Sequence, residues 1–250
     1  MQICFRRLLV FCLTMTTIVG FGQSSQVKNI CAFSKLYGYV RFFHPSDEAV
    51  RIDWDLFAVY GCRKVSNCKS PQELTDTLLS LFRPIAPSIQ IYPTNAKRTF
   101  DTSVITPPNR NQYKLICWQY LGWNSGYDRG SFHSKNYVYK NARMNRQQDT
   151  TLFSQHPIIG EHISKDLNPD IHASVPLALY GNAVNTYPAA NAVQYKQLVK
   201  NLLKLSKVKI TGDSLYVRIA DIVIGWNIFR HFYPYAIDAG IHGIHYLFTH

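Results

Sequence analysis

Apolar residues recur every three or four positions in the first part of this chain. Val27, Ile30, Phe33, Leu36, Tyr37 and Val40 fall on one side of a helix. Pro45 should stop or bend that helix, because proline has no amide hydrogen to donate. Trp54, Phe57, Ala58 and Tyr60 predict a second short helix, capped by Asp47 or Asp53 and ending at Gly61. Ser70-Pro71-Gln72-Glu73 reads as a further helix start, with a serine cap, proline at the first position and a glutamate to reach back. Leu74, Leu78, Leu79 and Phe82 continue it as an apolar stripe up to Arg83-Pro84. Residues 23–87 are therefore expected to form a helical bundle.

The pattern shortens after Pro84. Ile89 to Tyr92 alternates, Lys114 to Leu121 is strongly β-like, and Asn136 to Lys140 alternates again. His172 to Tyr180 favours a strand in which Pro176 suits only an edge or a bulge. Asn124-Ser125-Gly126 and Asp128-Arg129-Gly130 are turn-like. Residues 88–187 thus predict a compact, mostly antiparallel β domain of sandwich-like build. Helical periodicity returns with Ala189 to Leu205 and the more apolar Ile219 to Tyr233, which Pro234 ends. Residues 188–250 read as the first helices of a second, incomplete bundle. The expected class is α+β.

The leader changes the picture of compartment. Arg6 and Arg7 precede an apolar run from Leu8 to Ile18, and Gly20 and Gly22 supply a small-residue cleavage site, so residues 1–22 read as a signal peptide. That run is shorter than the roughly 20 residues of a membrane span, and an uncleaved anchor is the alternative. The chain is expected to be exported, periplasmic, outer-envelope or extracellular, with no transmembrane segment after cleavage. Its 27 Lys and Arg against 15 Asp and Glu give a net charge of +12. The cations are scattered, with no run or motif that would point to nucleic acid as a partner. Cys31, Cys62, Cys68 and Cys117 remain in the mature chain; Cys62 and Cys68 are close enough for a local bridge, and buried thiols are the alternative.

One internal echo stands out. Leu36-Tyr37-Gly38-Tyr39-Val40-Arg41-Phe42-Phe43-His44-Pro45 lies without a gap on Gly225-Trp226-Asn227-Ile228-Phe229-Arg230-His231-Phe232-Tyr233-Pro234. The first of these strings, with Ser46-Asp47 and Ile52-Asp53-Trp54-Asp55, resembles the N-terminal region of the tail-specific (C-terminal processing) serine proteases of the bacterial envelope. The second, from Ala220 to Tyr235, resembles the helical segment just ahead of their protease domain, and Val175 to Tyr180 resembles the end of the intervening β region. The resemblance implies a non-catalytic accessory region whose partner is a protease domain in a longer relative. The family pattern departs after Tyr235, where Ala236-Ile237-Asp238-Ala239-Gly240 replaces an expected acidic turn, so a truncated or frame-shifted product is expected.

Candidate chemistry is sparse. Ser66 with Lys69 and Ser25 with Lys28 match a Ser-x-x-Lys spacing without the companion motifs of penicillin-binding enzymes. His156, Glu161 and His162 lack zinc-protease spacing, and His242, His245 and His250 lie in a glycine-broken tail. No catalytic residue, metal or cofactor is expected. The rival to the accessory reading is a secreted binding module that recognises glycan or peptide. Trp118, Tyr120, Trp123 and Tyr127 would stack on the ligand, with Asn124 and Asp128 as hydroxyl partners.

Overall fold

A computed structural model describes residues 25–96, 99–123, 139–145, 156–207 and 211–232, of which 119–123 and 139–145 by their backbone path alone. The class is α+β, with six helices and two small antiparallel sheets.

Helix α1 covers 25–43 and stops two residues before Pro45. Of its apolar stripe, Ile30, Phe33, Leu36, Tyr37 and Val40 are buried, while Val27 in the first turn is exposed. Short α2 (Asp47–Arg51) is capped by Ser46, whose hydroxyl accepts from the Ala49 amide at 3.4 Å. Asp53 caps α3 (Trp54–Val65) through a 3.1 Å bond from the Leu56 amide. Gly61 does not end this helix, which runs four residues further. It serves packing instead: a Cβ at Gly61 would lie 2.2 Å from the Phe33 ring, so only glycine lets that ring seat there. Helix α4 (Pro71–Phe82) begins as its sequence predicts, with the Ser70 hydroxyl accepting from the Glu73 amide at 3.1 Å. The Glu73 carboxylate reaches back one residue further than in a capping box, to the Lys69 amide at 2.9 Å.

The strands are β1 (Gln90–Pro93), β2 (Lys114–Trp123), β3 (Tyr139–Asn145), β4 (His162–Asp166), β5 (Ile171–Pro176), β6 (Ala178–Gly181) and β7 (Thr186–Tyr187). They make a three-stranded sheet in the order β1-β5-β4 and a four-stranded sheet in the order β3-β2-β6-β7. The stretch His172 to Tyr180 is thus two strands in two sheets, not one. Pro176 ends β5 because it cannot donate to a continuing ladder, and the chain passes to the second sheet through Leu177.

Helices α5 (Ala192–Ser206) and α6 (Leu215–Phe232) follow. One buried cluster draws on α1, α3, α4, α5 and α6 and on the inward side chains of β5, Ile171, Ala173 and Val175. Its centre is aromatic: Phe33 lies 5.8 Å from Phe82 and 6.1 Å from Phe57, and Trp54 meets Tyr37 edge-on at 5.2 Å. The terminal helices share this core with the N-terminal ones. Among the described residues no helix is long and apolar enough to cross a membrane.

Candidate functional site

Strand parity gives the β1-β5-β4 sheet two unlike faces. Odd-numbered residues of β5 point into the helical core, while His172 and Ser174 point the other way. Two backbone bonds fix the hydrogen-bond pattern of β4 on β5. The Leu167 amide donates to Ile171 at 2.8 Å, and the Leu177 amide donates to Glu161 at 2.9 Å. In this register the odd residues of β4 carry the ladder bonds. The even ones, His162, Ser164 and Asp166, sit in the closely spaced pairs, and their own amides and carbonyls face the open edge. The Asp166 carbonyl confirms that direction, since it accepts from the Lys35 ammonium at 3.3 Å.

Close spacing brings three polar side chains into line. The His172 Nδ1 lies 2.5 Å from Asp166 Oδ1, and its Nε2 lies 2.9 Å from Ser164 Oγ. A carboxylate has no hydrogen to give, so Nδ1–H donates to Asp166, and in the neutral ring Nε2 accepts from the Ser164 hydroxyl. This is the hydrogen-bond order of an acyl-transfer triad. Ser164 thus has an imidazole within hydrogen-bond reach. Neighbouring residues carried no cue, because the three meet across a hairpin rather than along a motif.

Accessibility argues against catalysis by this trio. His172 is 1% exposed, with the Tyr92 ring stacked over it at 5.2 Å, whereas the Asp166 side chain is 55% exposed. A working triad needs the reverse: an imidazole open to the leaving group and a carboxylate shielded from water, where its charge is less screened. The arrangement serves as a clamp that pins the register of β4 on β5. Tyr92 extends it by a hydroxyl contact to Ser174 Oγ at 3.2 Å.

The second polar site is the crossing of α1 and α6. Asn227, fully buried, donates to the Ser34 carbonyl and the Val223 carbonyl, each at 2.9 Å. A Cβ at Gly38 would sit 1.8 Å from Asn227 Oδ1 and 2.9 Å from His231 Nε2, so glycine is required for this approach. Arg230 lies over the Trp226 ring at 4.7 Å and donates to the Tyr39 hydroxyl at 2.7 Å. Arg41 makes the matching contact on α1, over the Tyr37 ring four residues back at 5.6 Å. Burial, helped by the Arg230 charge, pushes the His231 imidazole down to about 3. Burial alone does the same to His44, whose ring nitrogens meet Ser46 Oγ at 2.9 Å and Ser88 Oγ at 2.7 Å.

The aromatic residues proposed for ligand stacking are only partly within view. The Trp118 indole donates to the His44 carbonyl at 3.0 Å, which ties the β2 strand to the turn after α1. The side chains of Tyr120 and Trp123, all of Tyr127, and the turns after Trp123 lie outside the described residues, as does the tail with His242, His245 and His250. Ser66 caps the C-terminal end of α3 and donates to the Cys62 carbonyl at 2.6 Å, while Lys69 meets Glu73 through its amide. Cys31, Cys62, Cys68 and Cys117 are free thiols, and burial pushes the Cys62 thiol up to about 12. Comparison of the chain with family models, with curated proteins and with solved structures finds no match.

Proposed function

We propose that the chain is an exported, non-catalytic accessory region that packs against another polypeptide through α6. The observation that carries this reading is a set of exposed apolar side chains on α6, interspersed with the exposed charges of Arg218 and Asp221. On this helix Ala220, Val223 and Trp226 are buried against the core, yet Leu215, Ile222 and Phe229 are 51%, 48% and 62% exposed. These three recur at seven-residue spacing and so lie along one stripe. An exposed apolar stripe marks an interaction surface. The strings 36–47 and 220–235 resemble those of the tail-specific serine proteases, which favours a protease domain as the covering polypeptide.

A photo-crosslinking residue in place of Ile222, introduced in the producing cell, tests this directly. It should capture a protease polypeptide identified by mass spectrometry, while the same residue at exposed Lys200 on α5 should not. Equal capture at both positions would remove α6 as the docking surface.

A second reading, that the chain is itself a serine hydrolase, has the hydrogen-bond order of the Ser164–His172–Asp166 series for it and the burial of His172 against it. A fluorophosphonate probe that labelled Ser164, and failed to label a His172→Gln variant, would establish it. Absence of labelling leaves the accessory reading.

A further inference from the structure

We infer that the open edge of β4 binds an extended, acidic peptide segment as an added β-strand. The first support is geometric. Among the described residues β4 is an edge strand, paired with β5 alone. Its even residues His162, Ser164 and Asp166 turn their amides outward, at the two-residue repeat of a strand, because the odd residues carry the ladder. Such a row of donors and acceptors is matched by the backbone of another extended chain.

The second support is charge. Lys35 of α1 and Arg230 of α6 converge beside the Asp166 end of this edge. Lys35 reaches the Asp166 carbonyl at 3.3 Å, and the neighbouring guanidinium, after burial, holds its ammonium below the ordinary lysine range. Among the described residues neither cation has a carboxylate within ion-pair distance, and Arg230 Nη1 is buried without a hydrogen-bond partner. The Asp166 carboxylate is already engaged by His172. Lys35, Arg230 and exposed Lys165 together outnumber the one nearby carboxylate that acts on Lys35, Asp166, and this excess of positive charge favours an anionic visitor. The β4 edge is a different surface from the outer stripe of α6, which requires an apolar partner.

The test is fluorescence anisotropy with labelled, end-blocked Glu-Val-Glu-Val-Glu and the mature chain. Saturable binding is expected, weakening by about threefold with each of Lys35→Met and Arg230→Met, the scale of a partly exposed charge pair. Lys-Val-Lys-Val-Lys should bind at least tenfold more weakly. An acidic peptide N-methylated at alternate residues should lose binding, since its edge can no longer pair. Ser164→Pro should also weaken binding, because it deletes an outward donor and no ladder bond. The N-methylated arm reads the same point should that variant not fold. Equal binding of the N-methylated or the basic peptide, or no binding of the acidic one, would overturn the inference.

Discussion

Two glycines in equivalent helices should respond to the same substitution with opposite signs. Gly38 lies on α1 where Asn227 of α6 crosses it, and an added Cβ would stand 1.8 Å from Asn227 Oδ1. Gly225 lies on α6 with nothing within 4 Å of such a Cβ. Replacing a helical glycine by alanine gains about 1 kcal/mol of propensity at either site. At Gly38 the gain is outweighed, because Asn227 must move and give up its bonds to the Ser34 and Val223 carbonyls. Each bond contributes about 1 kcal/mol, and forcing a methyl into a packed crossing costs about 1–3 kcal/mol. Gly38→Ala should therefore destabilise the chain by about 2–4 kcal/mol, while Gly225→Ala stabilises it by about 1 kcal/mol. For a chain of this size these correspond to roughly 4–16 °C down and 2–4 °C up in melting temperature by calorimetry. Combining Gly38→Ala with Asn227→Ala removes the closest collision and leaves that with His231, so the double variant should be more stable than the sum of the two losses by at least about 1 kcal/mol. A Gly38→Ala protein as stable as Gly225→Ala would refute the crossing geometry.

Stability should also fall below neutral pH. In the unfolded chain His44 and His231 take up protons near the ordinary value of about 6.5, whereas in the fold neither does so until about pH 3. Below pH 6.5 the unfolded state binds more protons, so stability is full above that value and declines as pH drops, by about 2 kcal/mol per histidine at pH 5. Urea titrations at pH 7, 6 and 5 should show this decline, and a folded His231→Phe variant should lose about half of it. Trp118→Phe shrinks the ring and deletes the bond to the His44 carbonyl, so it should cost at least about 1 kcal/mol by urea denaturation. Asp166→Asn weakens the clamp on His172 and should cost about 1–2 kcal/mol, with faster amide exchange confined to β4 and β5. Uniform exchange along the chain would contradict the clamp.

Local signals carried the helices well. The Ser70 start, the Pro45 stop and the Asp53 cap each follow from one side chain meeting one backbone group, and such contacts are written within four residues. Gly61 misleads for a different reason. As punctuation it reads as a helix end, but its purpose is to admit Phe33 from another helix, which no local pattern can state. The break at Pro176 was legible as a disturbance, though not as a change of sheet. Strand β4 was missed because His162, Ser164, Lys165 and Asp166 leave only Ile163 as an apolar member. For the same reason the Ser164–His172–Asp166 series was hidden. Its order depends on the register across a hairpin, and register is a tertiary quantity.

The echo between 36–45 and 225–234 acquires a physical meaning from the crossing itself. In the gapless alignment Gly38 corresponds to Asn227, and these are the residues that touch. Arg41 corresponds to Arg230, and each lies over the aromatic ring four residues before it, Tyr37 and Trp226. The two similar helices meet at corresponding positions, where one member offers a gap and the other fills it with an amide. Apolar rings alone would let such helices slide, since one aromatic contact resembles the next. The Asn227 bonds to Ser34 O and Val223 O are satisfied in one register only, so they select it from the alternatives. That choice places Arg230 beside Lys35 and turns the outer stripe of α6 away from the core. Both proposed contacts, the apolar one along α6 and the acidic one at β4, therefore depend on the same buried amide.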